Sequence, residues 1–269
     1  MVEDPVRDQP EDAAQGAAQV LAGNRRAPTA AIIVIGDEVL SGKVEEQNAR
    51  FLVRELRKLG VAVRHIEVIP DVPEEIAATV RSVSGRFDIV FTAGGIGPTH
   101  DDVTIAAIAM AFSVPVVRNA DLAATIRTLS GDRFYERDLR MADLPAGADL
   151  LYGEGTCYSR WPVIAFRNIY VLPGIPSILQ RKFAMIRERF CAPPFFSRAI
   201  YSCEGEGAIA HVLDKAAADF PSVAIGSYPH VDAIDHKVLI TLDGRDEATV
   251  LRACEQVTAG LGAAVVRVE

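Results

Sequence analysis

One stretch of the chain concentrates groups that could handle phosphate: Thr92-Ala93-Gly94-Gly95-Ile96-Gly97-Pro98-Thr99-His100-Asp101-Asp102-Val103-Thr104. A glycine turn between a strand and a helix leaves backbone N–H groups free to surround an anion, and a Cβ there would hold the backbone off the ligand or forbid positive φ. Gly94, Gly95, Gly97 and Thr99 are therefore the expected phosphate contacts, although a glycine turn alone is also an ordinary turn former. One of Asp101 and Asp102 could simply cap the following helix. Two carboxylates beside a bound phosphate repel it unless a divalent cation lies between them. Mg, Mn or Co would remove that conflict and polarise the phosphoryl oxygen.

A second acidic turn, Gly36-Asp37-Glu38 followed by Ser41-Gly42, ends the first apolar run. Open α/β sheets bind ligands at the carboxyl ends of their strands, so Asp37 and Glu38 are expected to face Asp102 across one crevice and share the metal. Carboxylates sharing an ion should approach within roughly 4 to 7 Å. Asn48 fits both a helix cap and a ligand-binding amide. His100, inside the loop, could touch a phosphate or lie on the surface. His230 and His236 flank Asp232 and Asp235 without a complete metal spacing and read as solvated; His65 and His211 read as structural. Trp161 and Tyr158 could stack on a base, but covering the sheet edge is the commoner role of such aromatics.

These residues are carried by a pattern of alternating elements. Ala30 to Ile35 is continuously apolar, as in a strand covered on both faces. Glu46 to Leu59 has apolar residues at helical spacing and stops at Gly60. A strand is predicted over 61–69, a helix over 73–83, a strand over 88–92 running into the glycine turn, and a helix over 102–112. After a loop-rich stretch come a strand at 169–172 and a helix to about Phe190. Right-handed βαβ units of this kind predict an α/β fold, a three-layer mostly parallel sheet with helices on both faces, over 28–192. Beyond the Pro193-Pro194 hinge, 193–269 predicts a smaller ferredoxin-like α+β unit. Residues 1–27, acidic and without apolar period, predict a disordered leader.

Composition narrows the function. The 269 residues carry a net charge of −8, with 49% hydrophobic residues. With no basic footprint, nucleic acid is not an expected partner. No apolar run reaches membrane-spanning length and the start lacks a signal pattern, so a cytoplasmic protein with no membrane partner is expected. Cys157, Cys191, Cys203 and Cys254 show no metal spacing and read as free thiols.

Gly36-Asp37-Glu38, Asn48, the run from Thr92 to Thr104 and Leu172-Pro173-Gly174-Ile175-Pro176 resemble the molybdopterin-binding-like domain of molybdenum-cofactor biosynthesis proteins and of the competence/damage-inducible protein A family. The Ala93–Thr104 run, Leu151-Tyr152-Gly153, Arg167-Asn168 and Gly226-Ser227-Tyr228-Pro229 look closer to the N-terminal domain of eukaryotic FAD synthases, known as an FAD hydrolase. Departures lie in Tyr152 to Tyr158, where the competence branch has a different segment after its Leu-Pro motif. No nicotinamide-mononucleotide deamidase or FAD-synthesising domain is recognisable, so neither activity is expected.

The resemblance implies Asp102 as the catalytic aspartate and substrate contacts at Asn48, Thr104 and Gly174. It also implies a divalent metal (Mg, Mn or Co) held by Asp37, Glu38 and Asp102, with room for potassium, and a homo-oligomer acting on a nucleotide or a molybdopterin. The expected function is a metal-dependent pyrophosphatase of FAD or ADP-ribose. The alternatives are molybdopterin binding or adenylylation, and a silent nucleotide-binding domain.

Overall fold

The computed structural model describes residues 27–153, 161–231 and 233–269. The expected leader therefore lies, apart from Ala27, outside the described residues. The chain divides into two compact units after Ala192.

In the first unit, β1 (Thr29–Ile35), β2 (Ala62–Ile69), β3 (Ile89–Ala93), β6 (Asp149–Leu151), β7 (Val163–Phe166) and β8 (Ile169–Leu172) form one sheet in the order β2-β1-β3-β8-β7-β6. The first four in that order are parallel; β7 runs antiparallel to β8 and to β6. The short strands β4 (Val116–Arg118) and β5 (Asp143–Pro145) pair separately.

Side chains on a strand alternate between faces, and β1 shows both faces filled. Ala31, Ile33 and Ile35 join one core with Ile76 and Val80 of α2 (Pro73–Ser84), Ile108 of α3 (Thr104–Ala111) and Ile126 of α4 (Ala120–Ser130). Ala30, Ile32 and Val34 join the other core with Leu52 and Leu56 of α1 (Asn48–Lys58) and with Leu179 and Phe183 of α5 (Pro176–Ile186). An aromatic knot of Phe91, Tyr170, Phe183 and Phe190 closes this second face. The three-layer, mostly parallel architecture is therefore the one expected.

Two local differences matter. The helix expected from Asp102 starts at Thr104, because Asp102 is bound into the turn before it. The stretch read as loop contains α4, whose cap is visible afterwards as Asn119 accepting the Leu122 N–H at 2.8 Å; an Asn before an apolar i, i+4 pair was the missed signal.

In the second unit, β9 (Phe196–Ser202), α6 (Glu206–Asp219), β10 (Ala224–Pro229), β11 (Val238–Gly244), α7 (Glu247–Leu261) and β12 (Val265–Val268) follow in sequence. The antiparallel order β10-β11-β9-β12 is that of a ferredoxin-like unit. Ile200, Ile240 and Leu242 of this sheet pack on Ile209, Val250 and Val257 of its helices. Among the described residues no helix is long and apolar enough to cross a membrane.

Candidate functional site

From β1 the chain leaves to β2 on one side and reaches β3 on the other, so the loops after β1 and β3 diverge from adjacent strand ends at the sheet's switch point. The glycine loop is pressed onto the first of these. Gly94 donates to Leu172 O at 3.1 Å and takes φ +113°, and a side chain on it would overlap the Ile35 carbonyl. Gly95 takes φ +64° with its face against Thr104. Thr104 is fully buried; its Oγ1 donates to Gly94 O at 3.0 Å and its N–H to Gly95 O at 3.0 Å. The Thr104 hydroxyl is thus used inside the loop, which it holds in shape.

The N–H groups of Gly95, Ile96 and Gly97 donate to none of the described residues, whereas that of Thr99 does. Asp102 Oδ2 accepts from both Thr99 N–H (2.8 Å) and Thr99 Oγ1 (2.5 Å), so Thr99 clamps the aspartate rather than standing free for a phosphate. The Asp102 carboxylate turns back into the loop, 2.7 Å from where a Cβ on Gly97 would sit. Only a glycine at 97 lets it fold there.

These groups open on a cavity of about 930 Å³, within the usual size of small-molecule sites. Glu38, Gly94 to Pro98, Asp102 and Gly174 line it, together with Trp161, Ile164, Ile178 and Lys182. Asn48, buried at the start of α1, donates to Gly174 O at 2.7 Å, while its Oδ1 is buried without a partner. Asn48 thus joins the β1–α1 connection to the loop after β8.

The acidic residues distribute unequally. Glu38 and Asp102 share the cavity wall, but Asp37 is not part of it; its N–H donates instead to Asp71 Oδ2 at 2.9 Å. No three His, Cys, Asp or Glu side chains among the described residues gather closely enough to hold a metal alone. Of the trio Asp37, Glu38 and Asp102, two thus line one cavity. Asp71, just past β2, was not singled out from sequence, although it falls at the same strand edge. Burial pushes its carboxyl above the ordinary carboxylate range, and Glu38, Asp37 and Asp101 add repulsion.

His100 is exposed, 3.8 Å from Asp101. Trp161 both packs against the core and lines the cavity; Tyr158 and Cys157 lie outside the described residues. His65 bonds Glu67 and stacks on Phe87. His236 departs from expectation: it is buried, bonded to His230 and to Asp235, because the turn between β10 and β11 folds it against Tyr201. Cys191, Cys203 and Cys254 are free thiols.

Lys182 escaped the sequence reading altogether. It is 5% exposed on α5, and its Nζ donates to the carbonyls of Trp161 and Pro162 (3.1 Å to the latter), with no carboxylate partner among the described residues. Burial pushes its pKa down from 10.5 to about 7. Between these values the unfolded chain binds the extra proton, so stability rises with pH from about 7 to about 10.5 through this residue. Substituting Lys182→Met should remove that rise. Chemical denaturation of both proteins at pH 7 and 10 tests it: a wild-type-minus-variant difference that does not move in favour of wild type at pH 10 rules out the buried-charge account.

Comparison with known proteins places the chain among relatives. Residues 31–191 match the family model described as a probable molybdopterin binding domain, and residues 194–269 match the FAD synthase middle domain. A protein of Archaeoglobus fulgidus is 32% identical over 84% of this chain and 94% of its own length. The Probable FAD synthase of Caenorhabditis elegans is 32% identical over 82% of this chain, which spans 48% of that relative. Among solved structures, the protein CinA, of unknown function, from Thermoplasma acidophilum aligns with TM-score 0.55 and 26% identity, over 61% of this chain and 98% of that one.

Proposed function

The chain belongs to the family of the probable molybdopterin binding domain, followed by an FAD synthase middle domain, and from that premise we propose that it hydrolyses the pyrophosphate of a dinucleotide such as FAD or ADP-ribose, with a divalent metal, in the cytoplasm and as a homo-oligomer. The observation that carries this reading is the row of N–H groups at Gly95, Ile96 and Gly97 that donate to no described residue, lining the same cavity as two carboxylates, Glu38 and Asp102.

Those N–H groups suit phosphate oxygens, and their directions are set in advance by Gly94 and Thr104, so they cost little reorganisation as charge develops at phosphorus. Asp102, held at Oδ2 by Thr99, has Oδ1 left to orient a water or a cation. Asn48 keeps Gly174 against the glycine loop and so keeps the cavity mouth in shape. Glu38 and Asp102 fit a small hard cation, which takes one or two protein carboxylates and completes its oxygen set from substrate phosphates. Bound there, such a metal would supply charge neutralisation between phosphate and carboxylate. In the reaction, water bonds to one phosphorus, the bridging P–O bond breaks, and FAD yields FMN and AMP.

The family described as molybdopterin-binding supports a second reading, in which the same N–H groups hold a pterin phosphate for binding or adenylylation. The test is a panel of FAD, ADP-ribose and NAD with Mg, Mn or Co, read as AMP release. Metal-dependent AMP release from FAD or ADP-ribose is expected. No AMP under any condition rejects hydrolysis; tight molybdopterin binding alongside would favour the second reading, and nucleotide binding alone would leave a silent domain.

A further inference from the structure

We infer that Lys182 is the ring-recognition residue of this site, donating a hydrogen bond to the carbonyl-bearing edge of the ligand's fused pyrimidine-type heterocycle while the glycine loop holds phosphate. This deepens the proposed function and rests on its placement of phosphate at Gly95 to Gly97.

An ammonium has three N–H donors. Two of those on Lys182 reach the carbonyls of Trp161 and Pro162, which pin the group in place, and the third is donated to no described residue while the side chain lines the cavity. A buried ammonium whose only acceptors among the described residues are two carbonyls is stabilised by a ligand oxygen.

The position argues for a ring over a phosphate. Trp161 and Pro162 lead into β7, and the pairings Ala93 with Leu172 and Ile164 with Val171 put them at the same sheet edge as the glycine loop but two strands away. Neighbouring strands lie about 4.8 Å apart, so the pinned Nζ stands about 10 Å across the edge from Gly94. A phosphate held by the loop N–H groups cannot itself also reach the lysine across that gap. The cavity that the lysine lines is also walled by the apolar side chains of Trp161, Ile164 and Ile178. A planar ring with carbonyl oxygens on one edge satisfies both the apolar walls and the single donor. Isoalloxazine and pterin rings share that edge.

Binding of riboflavin, a pterin and ADP-ribose to wild type, Lys182→Met and Lys182→Gln separates the alternatives, measured by fluorescence quenching or calorimetry after thermal melts confirm folding. Riboflavin has the ring without phosphate; ADP-ribose has the pyrophosphate without either ring. Loss of a hydrogen bond from a charged donor should weaken riboflavin roughly 10- to 100-fold in Lys182→Met, with a smaller loss in Lys182→Gln, while ADP-ribose changes by less than about twofold. Unchanged riboflavin affinity overturns the assignment, as does an equal loss for ADP-ribose, which would make Lys182 a phosphate contact. If the pterin binds, riboflavin does not, and Lys182→Met weakens the pterin, the lysine keeps its role and the FAD reading falls. Failure of wild type to bind any of the three rejects both.

Discussion

Replacing Gly94 with alanine should lower stability by roughly 3 to 5 kcal/mol and abolish ligand binding. The estimate combines two penalties. A Cβ at this position would overlap the backbone oxygen of Ile35, which ends β1 and cannot swing aside as a side chain can; forcing atoms into a packed interior costs roughly 1 to 3 kcal/mol. The residue also sits at φ +113°, where an L side chain costs a further 1 to 3 kcal/mol or so. Relief could come only from pushing β1 and β3 apart, which would displace the N–H groups of Gly95 to Gly97. Thermal unfolding followed by circular dichroism should show a midpoint lower by roughly 10 °C. A melt within about 2 °C of wild type, with binding retained, would mean that the contact with Ile35 does not constrain the loop.

Substitution of Asp102 with asparagine should reduce metal-dependent turnover by at least about 100-fold, in line with the loss of a charge-stabilising group at a reacting phosphate, while leaving the melting temperature nearly unchanged. The amide oxygen still accepts from Thr99 N–H and Oγ1, so the turn before α3 persists. What disappears is the negative charge available to a cation or a water at Oδ1. The decisive comparison is kcat against thermal midpoint for the two proteins. Full turnover in the variant would show that the aspartate only closes the turn; a variant that unfolds, with no metal response in wild type, would give it the same structural role.

How much of this was legible beforehand follows the range of the interactions. The strands of the main sheet that precede the glycine loop, the glycine turn itself and the ferredoxin-like order of the second unit were all readable, because burial of one face leaves a local period of two or 3.6 residues. The turn's chemistry was readable for the same reason: glycines, hydroxyls and carboxylates that act together there lie within one short stretch. Local capping was harder. Thr99 and Asp102 are three residues apart, yet whether Asp102 caps a helix, clamps Thr99 or faces solvent depends on the loop path, and that path is set by Gly94 lying against Ile35, 59 positions earlier in the chain.

What was missed was contact between distant positions. Asn48 meets Gly174 across 126 positions, and Lys182 meets Trp161 across 21, both through a strand order that no local pattern encodes. Asp71 reaches Asp37 because β1 and β2 are adjacent and parallel, so their following loops emerge side by side. The amino-acid sequence by itself determined which segments bury a face and which turn can hold an anion, since both are short-range consequences of side-chain type. Only the tertiary structure decided which carboxylates face one another and that a lysine in an apolar helix ends under two carbonyls at the same cavity, because those depend on which strand ends lie beside each other once the sheet has closed.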